Sequence, residues 1–315
     1  MNDWFLSNEL LIQTIAVYAL VAFSVQVPLR SGTFSLAGVG FYGVGSYAAA
    51  YWVKDGMSPL LAIAAAIVVA VVVGWTLAVL LVRLRDLYLG IATLAFDMMV
   101  TIVALNWEKV TGGAAGMYGI PLSVSTRTML LTLVVVAVLL TLLETGVVGR
   151  IYQTIREDEQ LAQALAIDAR KYRRLTFVIG CALGALAGAY HSLSFNAISP
   201  GDSGFHLVVL ALAMVIIGGF NSWIGALLGA VILGWIPVLL AGIGNWWPAL
   251  YGAGMVFFAV LAPGGIFGVA ESLYRRIRSR RATRAGRKVG TRDRTGQGGE
   301  VAERKEIAVD SATLR

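Results

Sequence analysis

The sequence predicts an all-α polytopic membrane protein with about nine transmembrane helices, eight to ten within the error of the boundaries. Three observations carry this. Nine long apolar stretches follow one another, at about 9–27, 33–53, 59–82, 87–106, 129–148, 175–194, 206–220, 222–241 and 247–262. About 20 apolar residues, rising about 1.5 Å each, cross a hydrocarbon layer about 30 Å thick. The chain is 58% hydrophobic and only 14% charged, whereas soluble domains average about 25% charged residues. Finally, Lys and Arg collect on alternate connecting segments. With the N-terminus outside, Arg30, Arg83, Arg85, Arg150, Arg156, Arg170, Lys171, Arg173 and Arg174 lie inside, against Lys54, Lys109 and Arg127 outside. That asymmetry is the positive-inside pattern.

The formal net charge of +7 belongs to residues 271–315, which hold 13 Lys/Arg and 6 Asp/Glu; the other 270 residues are neutral overall. The basic character is therefore a tail beside the last apolar stretch and not a folded surface, which argues against a nucleic-acid partner. The tail lacks periodicity, and its arginines suit anionic headgroups. The division is a membrane domain, 1–270, and a basic disordered cytoplasmic tail, 271–315. Cys181 is the single cysteine, so no disulfide forms within the chain.

Taken in order, Met1-Asn2-Asp3-Trp4 lacks the cationic start of a cleaved signal peptide, so 9–27 reads as a retained helix. The second stretch opens on Gly32-Thr33-Phe34-Ser35-Leu36-Ala37-Gly38, and Gly219-Phe220-Asn221-Ser222-Trp223-Ile224-Gly225 echoes its G-x-x-S-x-x-G pattern at the eighth. The stretch 87–106 holds Asp97, the one full charge near the centre of a span, where a carboxylate is costly and often functional. A glycine-rich outer loop, 107–127, follows. Glu144 sits near an inner helix end, where it can snorkel. The stretch 175–194 contains a doubled G-x-x-x-G, Gly180, Gly184 and Gly188, and Gly225 with Gly229 adds another. Such spacing lets helices approach closely in lipid, either within one chain or against a second subunit. His191 and His206 flank an outer loop at 194–205. The link between 206–220 and 222–241 is short enough to be re-entrant. Trp4, Trp52, Trp107, Trp246 and Trp247 fall at outer ends, where indoles favour the headgroup zone.

The one long inner insert is 149–174. Thr154-Ile155-Arg156-Glu157 fits a capping box. Glu157, Asp158 and Glu159 crowd the start and Arg170, Lys171, Arg173 and Arg174 the end, in accord with a helix dipole. Leu161, Ala162, Leu165 and Ala166 make a low apolar stripe, the kind of face that fits a groove on another protein. The expectation is a short amphipathic helix on the inner face.

The insert resembles the cytoplasmic loop of binding-protein-dependent ABC import permeases, and more narrowly the R-E-D-E…A…A-L-G-I run of LivM-type branched-chain amino acid permeases. Ala166 stands where that family carries glycine, a change expected to lengthen the helix. Ser35-Leu36-Ala37-Gly38 with Phe41 to Tyr47 resembles S-L-G…F-G-I-G-A-Y, and Leu84 to Phe96 resembles L-R-G-x-Y-x-A-x-x-T-L-A-F. Asn106-Trp107, Thr111 to Pro121 and Ile198-Ser199-Pro200 are similar to N-W, T-G-G-x-x-G-x-x-G-I-P and I-S-P. Gly218-Gly219-Phe220-Asn221-Ser222 departs from G-G-x-G-S, and a proline near Ala226 is missing.

The resemblance implies a multi-pass permease of the bacterial inner membrane. It would work with a second, LivH-like permease subunit, two ATP-binding subunits and a periplasmic or lipid-anchored binding protein, and would carry branched-chain or other amino acids. The insert then becomes a coupling helix, with Arg156, Glu157, Asp158, Glu159, Leu161, Ala162, Leu165 and Ala166 facing the ATPase. Asp97, Thr93, Ser35, Gly112 and Gly113 are the candidates for the substrate pathway. Nothing points to an enzyme, a cofactor or a metal: the chain lacks G-x-x-x-x-G-K-[ST], H-E-x-x-H, G-x-S-x-G and C-x-x-C. The alternatives are an ion-coupled carrier using Asp97, a urea or amide permease of the same architecture, and a non-transporting membrane scaffold.

Overall fold

A computed structural model describes residues 8–81, 84, 86–121, 124–240 and 252. Apart from residue 252, the stretch expected at 247–262 lies outside the described residues, as do the tail, Arg83 and Arg85, and Trp4, Trp246 and Trp247. Eleven helices are described: α1 Glu9–Arg30, α2 Ala37–Lys54, α3 Pro59–Leu80, α4 Asp86–Asn106, the single turn α5 Glu108–Thr111, α6 Thr126–Glu144, α7 Gly146–Glu157, α8 Glu159–Ala164, α9 Ala169–Phe195, α10 Phe205–Gly218 and α11 Trp223–Leu240. The chain is thus an all-α multi-pass membrane protein. Among the described residues, α1, α3, α4, α6 and α9 are long and apolar enough to cross a bilayer, and α10 with α11, bent by 120°, makes a sixth span if the pair is counted as one.

The difference from the larger number of expected spans has identifiable causes. The stretch expected at 33–53 is helical, as α2, but four glycines and three tyrosines dilute its apolar character. It has no need to face lipid, because it sits inside the bundle and packs most extensively against α9. Helix α10 has 14 residues, which rise only about 21 Å. The segment before it, expected as an outer loop, turns inward. Met117–Tyr118 (β1) pairs antiparallel with Ala197–Ile198 (β2). Pro200–Ser203 then forms a 3-10 turn against α2 and α4, where Thr101 Oγ1 donates to the Ser203 carbonyl at 3.2 Å.

Small residues hold the centre together. A Cβ at Gly184 would strike the Gly38 backbone, and one at Gly188 the Tyr42 carbonyl. The doubled G-x-x-x-G is therefore consumed inside this chain, joining α9 to α2 and, through Gly180, to α1. Gly225 and Gly229 likewise set α11 against α10. Leu60, Val68, Val72 and Trp75 on α3 and Leu131, Val134 and Leu142 on α6 remain exposed, as lipid-facing helices require.

The repeated G-x-x-S-x-x-G motif has a repeated local form. Gly32 and Gly219 both adopt positive φ. Ser35 Oγ accepts from Ala37 N, and Ser222 Oγ accepts from Ile224 N, each at 3.3 Å. In both copies the serine hydroxyl satisfies an orphan amide at the start of the next helix.

Candidate functional site at the basic end of the bundle

The insert folds as two helices and not one. Thr154 does not cap: its hydroxyl donates to the Arg150 carbonyl within α7 at 2.9 Å. The cap is Asp158, in extended conformation, whose Oδ1 accepts from Gln160 N at 2.8 Å and Leu161 N at 3.0 Å. An aspartate placed to accept these amides offers the chain a better local partner than a continuous helical ladder, so α7 stops and α8 starts there. At the far end Ile167 N reaches the Ala162 carbonyl (2.9 Å) and Ala166 N the Gln163 carbonyl (3.0 Å). This is a Schellman motif, with Ala166 at φ 59° in the left-handed position that glycine usually takes. Alanine therefore strains the turn without lengthening the helix.

The expected apolar stripe divides. Ala162 is fully buried with Ile155 and Ala169 in a small core of its own, covered by Ile151, Ile167 and Tyr172. Leu161 and Leu165, one helical turn apart, remain 52% and 61% exposed. Of the acidic residues, Glu157 accepts from Gln153 Nε2 at 2.8 Å and Glu159 pairs with Arg173 at 3.3 Å. Tyr152 lies edge-on to Tyr172; burial and that neighbour raise its phenol above the ordinary range, with Arg30 pulling the other way.

Arg156 faces the bundle. Its guanidinium lies 4.4 Å over the Phe220 ring and donates to Asn221 Oδ1 at 2.8 Å. Arg30, at the end of α1, donates to the Asn221 carbonyl at 2.7 Å and pairs with Glu144 at 2.8 Å. Burial and the nearby Arg30 lower the Arg156 pKa, with Glu157 opposing. Asn221 thus accepts from two crowded cations. Glu144 Oε1 also accepts from Trp223 N at 2.9 Å and Gln26 Nε2 at 3.1 Å. One carboxylate therefore ties together the ends of α1 and α6 and the first turn of α11. Helix α7, which leads into the insert, begins two residues after Glu144, at Gly146.

Sequence reasoning missed Glu144 and Asn221 as parts of this cluster. The available signal was an acid at a helix end opposite Arg30, together with a polar residue in place of glycine at 221.

The candidate pathway residues divide into two groups. Ser35 and Thr93 meet at the start of α2: Thr93 Oγ1 accepts from Leu36 N at 3.0 Å and donates to the Leu89 and Gly90 carbonyls. Asp97 lies one turn further along α4, fully buried, with a carboxylate oxygen in the space that a Cβ on Gly40 would take. Gly112 and Gly113 belong to the opposite end, in left-handed turns after α5. Gly112 borders an open cavity of about 370 Å³ lined by charges of both signs, among them Lys54, Asp55 and Glu108. Among the described residues, no group of His, Cys, Asp or Glu side chains is arranged to hold a metal.

The profile of the family described as "Branched-chain amino acid transport system / permease component" matches residues 9–261. The chain belongs to this family. The high-affinity branched-chain amino acid transport system permease protein LivM of Escherichia coli is 27% identical over 261 residues, covering 69% of this chain and 60% of the relative. The LivM of Salmonella typhimurium is 28% identical over 255 residues with the same coverage. BraD of Pseudomonas aeruginosa, a permease protein of the same kind of system, is 36% identical over 86 residues, 27% of this chain and 28% of its own. The chain spans about 60% of the length of the LivM relatives it matches. No solved structure matches.

Proposed function

We propose that the chain is the membrane-spanning subunit of an ATP-driven importer for branched-chain or closely related amino acids, powered by separate ATP-binding subunits. Family membership supports the permease role, and the names of the LivM and BraD relatives support the substrate class. The observation that carries the mechanism is the construction of the insert. Leu161 and Leu165 project from a short helix pair that has its own core, while Arg156, Asn221 and Glu144 lock that pair to the ends of α1, α6 and α11. A push on the two leucines is thereby delivered to three helices at once, which is what switching between two packings requires.

In this reading Asp158, Glu157, Glu159 and Ala166 shape the coupling element, and Ala162 supports it from beneath. Ser35, Thr93 and Asp97 form a polar seam that the alternate packing uncovers, with Gly112 and Gly113 at the outer mouth. The finer topology is nine crossings with the N-terminus outside. The partners are a second, similar permease subunit, two ATPases and a soluble or lipid-anchored binding protein.

The test is co-purification of the chain with its ATPases, together with ATP-driven uptake in proteoliposomes. L161R/L165R is expected to abolish both while leaving the chain folded. Uptake that persists without any ATPase, depends on a proton gradient and is lost in D97N would establish the ion-coupled carrier instead.

A further inference from the structure

Beside the insert, at the basic end of the bundle, a cavity of about 60 Å³ opens between the ends of α3 and α4 and the start of α9. Two chemistries line it. Arg170, Arg173 and Arg174 supply the cationic part of the lining, and Leu81, Leu84 and Leu89 the apolar part. Glu159 also borders it and pairs with Arg173, which leaves the cationic side in excess. Nε of Arg173 and Nε of Arg174 are both buried, with no hydrogen-bond partner among the described residues. Buried donors without acceptors are costly, and the excess of guanidinium groups around the cavity favours an anion. The helix terminus itself is not the attraction, because Asp168 Oδ1 already accepts from Arg170 N and Lys171 N.

We propose that this cavity binds the phosphate of an anionic phospholipid from the membrane leaflet on the basic side, at Arg170, Arg173 and Arg174, with one acyl chain lying outside it against the exposed Leu84. The apolar lining argues for a lipid over a free phosphate. Leu81 and Leu84 lie in the link between α3 and α4 and Leu89 in the first turn of α4, so an occupant with a hydrocarbon tail as well as a charge suits the site better than a bare anion. Because α8 reaches the same cavity through Glu159, the lipid would brace the insert against the bundle. This site is separate from the transport reading: the chain can bind the lipid whatever its cargo.

The full chain, purified in dodecyl maltoside, is titrated with 1-palmitoyl-2-oleoyl phosphatidylglycerol and with the phosphatidylcholine of the same chains, and bound lipid is read by native mass spectrometry. Phosphatidylglycerol is expected to bind about tenfold more tightly, and R173Q/R174Q to remove that preference. R173K/R174K should keep most of it, and neutralising Arg127 at the opposite end should keep all of it. R170Q, at an exposed position, should weaken binding about threefold and serves if the double variant does not fold. Millimolar inorganic phosphate should not compete; full competition by phosphate would overturn the lipid assignment in favour of a free anion site. Equal affinity for the two lipids would overturn the proposal.

Discussion

Replacing Glu144 with glutamine removes a charge on which the basic end of the bundle converges. The amide still offers Oε1 to Trp223 N, so the start of α11 keeps its acceptor, and Arg30 keeps the Asn221 carbonyl. What disappears is the 2.8 Å ion pair between side chains that are 21% and 12% exposed. Surface pairs contribute about 0–1 kcal/mol, whereas stripping one partner from a buried pair costs about 3–5 kcal/mol. This pair lies between those limits, so about 2 kcal/mol is expected. For a chain of this size that lowers the thermal midpoint by about 3 °C. R30Q should cost a similar amount, because it leaves Glu144 without its cation. R30Q/E144Q should lose little more than either single variant, a coupling of about 1–2 kcal/mol in a double-mutant cycle. Circular dichroism of the purified chain in detergent reads all four proteins. If the two losses simply add, to within about 0.5 kcal/mol, the carboxylate and the guanidinium act independently and the cluster is not a unit.

Other outcomes follow from the same geometry. A166G should relieve the left-handed alanine by about 1 kcal/mol and slow amide exchange at Ile167 about fivefold, whereas A166V should speed it. A162R should unfold the insert, because the new charge enters a core with no partner; protease should cut between 150 and 170 in that variant and not in L161R/L165R. G184L should prevent stable packing of α9 on α2, seen as loss of the folded, monodisperse protein in detergent, since the Gly38 backbone cannot retreat as a side-chain tip can. N221G should leave the chain folded while releasing Arg156, which raises exchange across α7.

The bundle was legible in the sequence to the extent that hydrocarbon thickness dictates it. The spans 9–27, 59–82, 87–106 and 129–148 lie on α1, α3, α4 and α6 because each needs only a run of apolar residues. Helix α2 showed its helical nature in the sequence but not its place, since glycines that thin its hydropathy are the ones that admit it to the centre. Periodicity located the insert but misjudged its interior. The i, i+4 spacing of Leu161 and Leu165 was visible, yet the break at Asp158 depends on one carboxylate choosing two amides, which a stripe of apolar residues does not encode. The Glu144 cluster was the hardest to foresee. Its members Gln26, Arg30, Glu144, Asn221 and Trp223 are distant along the chain, and each alone resembles an ordinary helix-end residue.

The pairing of Met117–Tyr118 with Ala197–Ile198 has a mechanical consequence. Backbone that leaves a helix inside a packed bundle must find partners for its amides and carbonyls, and here the pairing of β1 with β2 provides some of them. The Ser199–Asp202 cap and the Thr101 hydroxyl provide others. Moving β1 would therefore draw β2 and the turn that follows it along and shift the point at which α10 begins. A push on the loop that carries β1 is thus passed to Pro200–Ser203, which packs against α2 and α4.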